Sequence, residues 1–72
     1  MSASLERDVT KSLDVANRAM ADYQNWLQIY NLHVAAFRWK EAEEAREYAI
    51  VGLECFMDNF AAAYRRLEIA RN

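Results

Sequence analysis

The sequence predicts an all-α fold in which two long helices pack antiparallel as a hairpin. Its 72 residues contain no proline and a single glycine, Gly52. Because turn-rich folds need both residue types in their turns and loops, the sequence argues against such folds. Apolar residues also recur at steps of three and four in two successive series that are out of phase with each other, which indicates two amphipathic helices. Acidic residues near the start and basic residues near the end of each series agree with the helix macrodipole.

The first apolar series predicts a helix over about residues 4–36. Its members follow one helical face: Val9, Leu13, Ala16, Met20, Tyr23, Leu27, Tyr30, Val34 and Phe37. The same register would next place Glu41 and Glu44 in the core, where unpaired carboxylates are strongly disfavoured. We therefore expect the first helix to end before them, with a turn at about 37–39.

The second apolar series predicts a helix over about residues 39–71. Its members are Ala42, Ala45, Ala49, Leu53, Phe56, Phe60, Ala63, Leu67 and Ala70. Residues 1–72 then form one helical-hairpin domain. A single continuous bent helix is the competing interpretation, and it is disfavoured because it places glutamates on the apolar seam.

The composition argues against catalysis and against bound metals or cofactors. A single cysteine, Cys55, allows no disulfide within the chain, and a single histidine, His33, allows no His-rich metal site. The formal net charge of -2 gives no electrostatic footprint for nucleic acid. The N-terminal residues do not resemble a signal peptide, and no apolar run approaches membrane-spanning length. These features predict a cytoplasmic protein that is not an enzyme and has no membrane partner.

The chain carries more apolar surface than two helices can cover for each other. In the second helix, apolar residues flank the main series on both sides, with Tyr48, Val51 and Cys55 on one flank and Ile50 and Met57 on the other. A helix that is apolar over most of its circumference has to be covered on two sides. We therefore expect a homodimer that forms a four-helix bundle. The residues expected in its core or dimer interface are Leu13, Met20, Tyr23, Leu27, Tyr30, Val34, Phe37, Ala49, Leu53, Phe56, Phe60 and Leu67.

A second surface is predicted where a charged face of the first helix becomes apolar. Arg7, Asp14 and Arg18 lie on this face, which then continues as Ile29, Leu32 and Ala36. Apolar patches with a polar rim usually mark contact sites. The residues expected to bind a partner protein are Trp26, Ile29, Leu32, His33, Ala36, Arg38 and Trp39. Burial of the same patch within the homodimer is an equally open alternative.

The second helix resembles a known group of small phage proteins. The segment from Trp39 to Arg46, WKEAEEAR, runs into Gly52-Leu53-Glu54 and then into the segment from Phe56 to Tyr64, FMDNFAAAY. In size, helix order and composition the chain is similar to the helical-hairpin proteins that temperate phages make early in infection, the quorum-sensing anti-activators among them. The resemblance implies a homodimer that disables a host regulatory protein, such as a transcription regulator, in the host cytoplasm. It assigns no role to individual residues.

The sequence thus predicts a non-catalytic protein-binding module, a small dimeric inhibitor or anti-activator. One alternative is an RNA- or DNA-binding hairpin that uses the basic residues near the two chain ends. Acidic residues at the same end leave only a small excess of positive charge there, so this alternative is disfavoured. The other alternative is a structural protein that uses all of its surplus apolar surface for self-assembly.

Overall fold

Two helices of equal length, joined by a short turn, make up the part of the chain that the structure describes. The computed structural model describes residues 3–71, and it contains α1 (Ala3–Ala35) and α2 (Trp39–Arg71), each of 33 residues. The helices pack against each other to give a rod of 52 × 16 × 12 Å. The all-α prediction and the pairing of two helices are confirmed. The competing interpretation, one continuous bent helix, is wrong.

The turn uses a glycine-type geometry without a glycine. The amide of Arg38 donates to the His33 carbonyl over 2.9 Å, and the amide of Phe37 donates to the Val34 carbonyl over 3.1 Å. This pair of bonds is a Schellman motif, whose penultimate residue adopts the left-handed conformation that glycine accepts most readily. Here that residue is Phe37, with φ of 59°. The chain therefore reverses direction at a position that strains a bulky side chain.

Small residues form the seam between the helices. The buried positions are Val9, Ser12, Ala16 and Ala19 in α1 and Ala42, Ala45, Ala49 and Ala63 in α2. Among the described residues, no large side chain is fully buried. Because only small groups separate the two backbones, the helices approach closely and the large side chains lie at the edges of the seam.

The large residues of the first apolar series therefore lie beside the seam. Leu13 and Leu27 are 37% and 38% exposed, whereas Ser12 and Ala19, one position earlier than Leu13 and Met20, are buried. Phe37 lies in the turn and is 76% exposed. Close contact of small residues thus determines which positions lie in the seam. The large residues of the first apolar series are left on one side of the rod.

Candidate protein-binding surfaces

One long side of the rod presents large apolar side chains along most of its length, and we call it the broad face. Tyr23, Leu27 and Tyr30 of α1 line a shallow groove together with Ile50 and Leu53 of α2. Helical steps of three and four continue this surface in both directions. Its members are Leu13, Met20, Tyr23, Leu27, Tyr30, Ile50, Leu53, Met57, Phe60, Tyr64 and Leu67.

The broad face has the spacing of a coiled-coil seam. In α1, Leu13, Met20 and Leu27 are seven residues apart. In α2 the steps alternate between three and four from Ile50 to Leu67. This heptad pattern is the one that packs knobs into the holes of a facing helix. Met57 and Phe60, near the middle of the α2 stripe, are 58% and 51% exposed, so the hairpin itself leaves the pattern unpaired.

A second apolar surface lies on the opposite side of the seam, in the half of the rod nearer the turn. The indole of Trp26 stacks on the ring of Tyr48, with 4.7 Å between centroids and 23° between planes. Ile29 and Leu32 continue from Trp26 along α1, and Val51 follows Tyr48 along α2. We call these five residues the Trp26 patch. Leu32 is 66% and Val51 63% exposed, so the patch is open to a partner.

Acidic residues border the Trp26 patch. Asp22 precedes Trp26 by one helical turn, and Glu44 and Glu47 precede Tyr48 and Val51 by one turn each. All three acids are exposed. Residues one turn apart on a helix are neighbours on its surface, so the apolar patch has a negatively charged rim.

The seven residues expected to bind a partner do not form one surface. Trp26, Ile29 and Leu32 belong to the Trp26 patch, and Ala36 follows them in the exposed turn. Trp39, in contrast, lines a groove on the broad-face side with Tyr30, Val34 and Arg46, and it is 61% exposed.

The other two residues of that set contact each other at the turn. Arg38 Nε donates to His33 Nδ1 over 3.0 Å. The bond joins the side chain of Arg38, at the end of the interhelical turn, to His33 in the last helical turn of α1. This pair is therefore placed to hold the turn in shape, beside the Schellman bonds that Arg38 and His33 also share through their backbones.

Sequence reasoning missed the contribution of α2 to the Trp26 patch. The sequence places Tyr48 and Val51 on a flank of the second helix but gives no relation between them and Trp26. The spacing of a single helix shows which residues share a face. It does not show how far two helices are shifted along each other, and that shift brings Tyr48 onto Trp26.

Arg66 and Asn59 form further side-chain hydrogen bonds in the half of the rod nearer the chain ends. Arg66 donates to Ser12 Oγ over 2.7 Å and to the Asp8 carbonyl over 3.3 Å. The Asn59 amide donates to the Cys55 carbonyl over 2.8 Å and lies 3.5 Å from Cys55 Sγ. One of the basic residues near the chain ends, Arg66, thus joins the two helices.

The described residues contain neither a metal-binding cluster nor a membrane-spanning helix. Within residues 3–71, no three His, Cys, Asp or Glu side chains are grouped as a metal site would require. Over the same residues, neither helix has a segment both long and apolar enough to cross a bilayer.

Comparison with known proteins identifies no relative. No protein-family model matches the chain, and no curated protein or solved structure is significantly similar to it. The fold and its surfaces define a helical hairpin with apolar surfaces on two opposite sides. The function is therefore inferred from those surfaces.

Proposed function

We propose that this protein is a non-catalytic protein-binding module, a homodimeric inhibitor that binds a host regulatory protein. One observation supports the proposal above all others: the helices bury only small residues against each other and leave two apolar surfaces on opposite sides of their seam. Because the two apolar surfaces lie on opposite sides of the hairpin, each needs its own binding partner. A second copy of the chain covers one of them, and a different protein covers the other.

The Trp26 patch is the surface for the different protein. It combines a stacked Trp–Tyr pair with exposed aliphatic side chains, and aromatic residues dominate the binding energy of many interfaces. Its acidic rim complements a partner whose contact surface is apolar at the centre and basic at the edge. The resemblance to phage anti-activators supports a transcription regulator in the host cytoplasm as the class of target.

The proposal is tested by two substitutions in α1 that add the same charge. Leu32→Glu places a carboxylate on the Trp26 patch, whereas Ala21→Glu places one on the exposed back of the helix, where none of the residues one turn away belongs to either apolar surface. We expect the wild type and Ala21→Glu to capture one and the same protein from host lysate. Leu32→Glu is expected to bind that purified protein at least tenfold more weakly in calorimetry, with unchanged helicity.

Each contrary outcome has a defined meaning. Equal binding by Leu32→Glu would show that the Trp26 patch is not the partner site. Loss of the dimer in Leu32→Glu would assign the patch to self-association instead. If the wild type captures no protein at all, the protein-binding function itself is wrong.

A further inference from the structure

We infer that the broad face is covered by a second copy of the chain in an antiparallel arrangement, so that the turn of each hairpin lies against the chain ends of the other. The inference rests on the homodimer of the proposed function and specifies its geometry. Four observations support it: the amount of surface that the single hairpin exposes, the symmetry of the α2 stripe, the pairing of Arg46 with Tyr64, and the position of Trp39 relative to an open hollow.

The hairpin exposes more surface than a folded monomer of its size. Its accessible surface is 5690 Å², whereas a monomeric protein of 8.4 kDa is expected to expose about 4600 Å². The excess is on the order of 1000 Å². A stable interface buries about 800 Å² on each partner, and the broad face extends along a rod 52 Å long and 16 Å wide. One more copy, docked face to face, supplies an interface of the required size.

The stripe on α2 is self-complementary when two copies run antiparallel. Residues at equal distances from the centre of α2 then lie opposite each other across the interface. Leu53 faces Met57 of the second copy, and Ile50 faces Phe60. Ile50 and Phe60 join a smaller and a larger apolar side chain, which is the combination that fills a layer of a helical bundle, whereas Leu53 and Met57 are close in volume.

Arg46 favours the antiparallel over the parallel arrangement. It lies seven residues after the start of α2, and Tyr64 lies seven residues before its end. The antiparallel pairing therefore places the guanidinium of Arg46 beside an aromatic ring, where a cation–π contact stabilises it. A parallel dimer would instead hold both copies of Arg46 at one level of an apolar bundle, where like charges repel.

Trp39 gives a second reason for the antiparallel arrangement. At the far end of α2 an open hollow of about 360 Å³ is lined by Tyr64, Leu67, Glu68, Ala70 and Arg71. Trp39 is the first residue of α2, lies on the same side of the rod and is 61% exposed. Antiparallel packing brings the indole of one copy to the hollow of the other. The hollow then offers an aromatic ring the apolar side chains of Tyr64 and Leu67 and the guanidinium of Arg71, with Glu68 also in the lining.

Spin labels test the arrangement directly. In a Cys55→Ala background, one variant carries a label at Lys40→Cys, near the turn, and a matched variant carries it at Glu54→Cys, near the centre of α2; both native residues are exposed and lie off the broad face. An antiparallel dimer separates the two Lys40→Cys labels by about 45 Å along the bundle, from fifteen residues of helical rise on each side of the centre. The Glu54→Cys labels stay within the width of the bundle in either arrangement.

The outcomes separate the inference from the proposed function. A long distance at position 40 with a short distance at position 54 supports the antiparallel dimer, and short distances at both positions overturn it. No dipolar coupling in either variant would show a monomer and would remove the homodimer as well, while leaving partner capture through Leu32 as a separate test. If Cys55→Ala lowers the helicity, Cys55→Ser serves as the background.

A substitution at Trp39 tests the contact with the hollow. Trp39→Ala is expected to weaken the dimer at least tenfold, whereas Lys40→Ala, at the next residue but on the exposed back of α2, leaves its affinity unchanged. Equal dimer affinity in the two variants would overturn the contact between Trp39 and the hollow.

Discussion

Gly52 of α2 lies directly against the backbone of Tyr23 in α1. A Cβ atom at position 52 would lie 3.1 Å from the Tyr23 amide nitrogen and 3.3 Å from the Ala19 carbonyl oxygen, closer than most Cβ contacts in folded proteins. The helices can come this near only because the residues around the contact are small. The same closeness leaves the large side chains outside the seam, and this is why the hairpin has two apolar surfaces.

The first prediction concerns this close contact. Gly52→Leu is expected to lower the free energy of unfolding by about 2–3 kcal/mol, because the added side chain meets backbone atoms that cannot rotate away. Ala21→Leu, at an exposed position of α1, adds bulk without touching the seam and serves as the control. Urea denaturation followed by circular dichroism measures both. Equal stability of Gly52→Leu and the control would show that the helices are not closely packed at this point.

The second prediction concerns the turn. Phe37→Gly is expected to be more stable than Phe37→Ala by about 1 kcal/mol, because glycine adopts the left-handed conformation at φ of 59° without a steric penalty. The alanine variant removes the aromatic ring but keeps the steric penalty of the left-handed conformation. The difference in stability between the two variants therefore measures the backbone contribution alone. Thermal unfolding of both variants gives the comparison. If alanine is as stable as glycine, the left-handed geometry of the turn is wrong.

The third prediction concerns the contact that joins the chain ends. Ser12→Ala removes the acceptor of the 2.7 Å bond from Arg66 and is expected to cost about 0.5–1 kcal/mol, since Arg66 itself is exposed to water. Thr10→Ala, at an exposed position two residues earlier in α1 and therefore on the other side of the helix, is the matched control. A double-mutant cycle with Arg66→Met measures the coupling, and a coupling of zero would contradict the bond.

The helical hairpin could be predicted from the sequence because its determinants are local. The absence of proline and the phase change between Phe37 and Ala42 are sufficient to define two helices and the turn between them. The two flanks of α2 could be assigned in the same way, since Tyr48 and Met57 lie on opposite sides of its apolar series. Single-helix periodicity is enough for such assignments.

Periodicity predicts six of the eight seam residues but misses Ser12 and Ala19. Hydrophobicity alone favours Leu13 and Leu27 as seam residues over Ser12 and Ala19. The structure reverses this order because Gly52 and the alanines allow close backbone contact, and this gain depends on the pairing of both helices. The stacking of Trp26 on Tyr48 also depends on the shift between the helices, so the extent of the Trp26 patch becomes visible only in the folded chain.

The separate roles of the two apolar surfaces form the central claim, and sedimentation equilibrium on three proteins tests it most directly. We expect the wild type and Leu32→Glu to have about twice the 8.4 kDa mass of one chain. Met57→Glu is expected to have the mass of a single chain, because it places a carboxylate in the interface formed by the broad face. A dimer in Met57→Glu, or a monomer in Leu32→Glu, would contradict the assignment of the broad face to self-association and of the Trp26 patch to a partner.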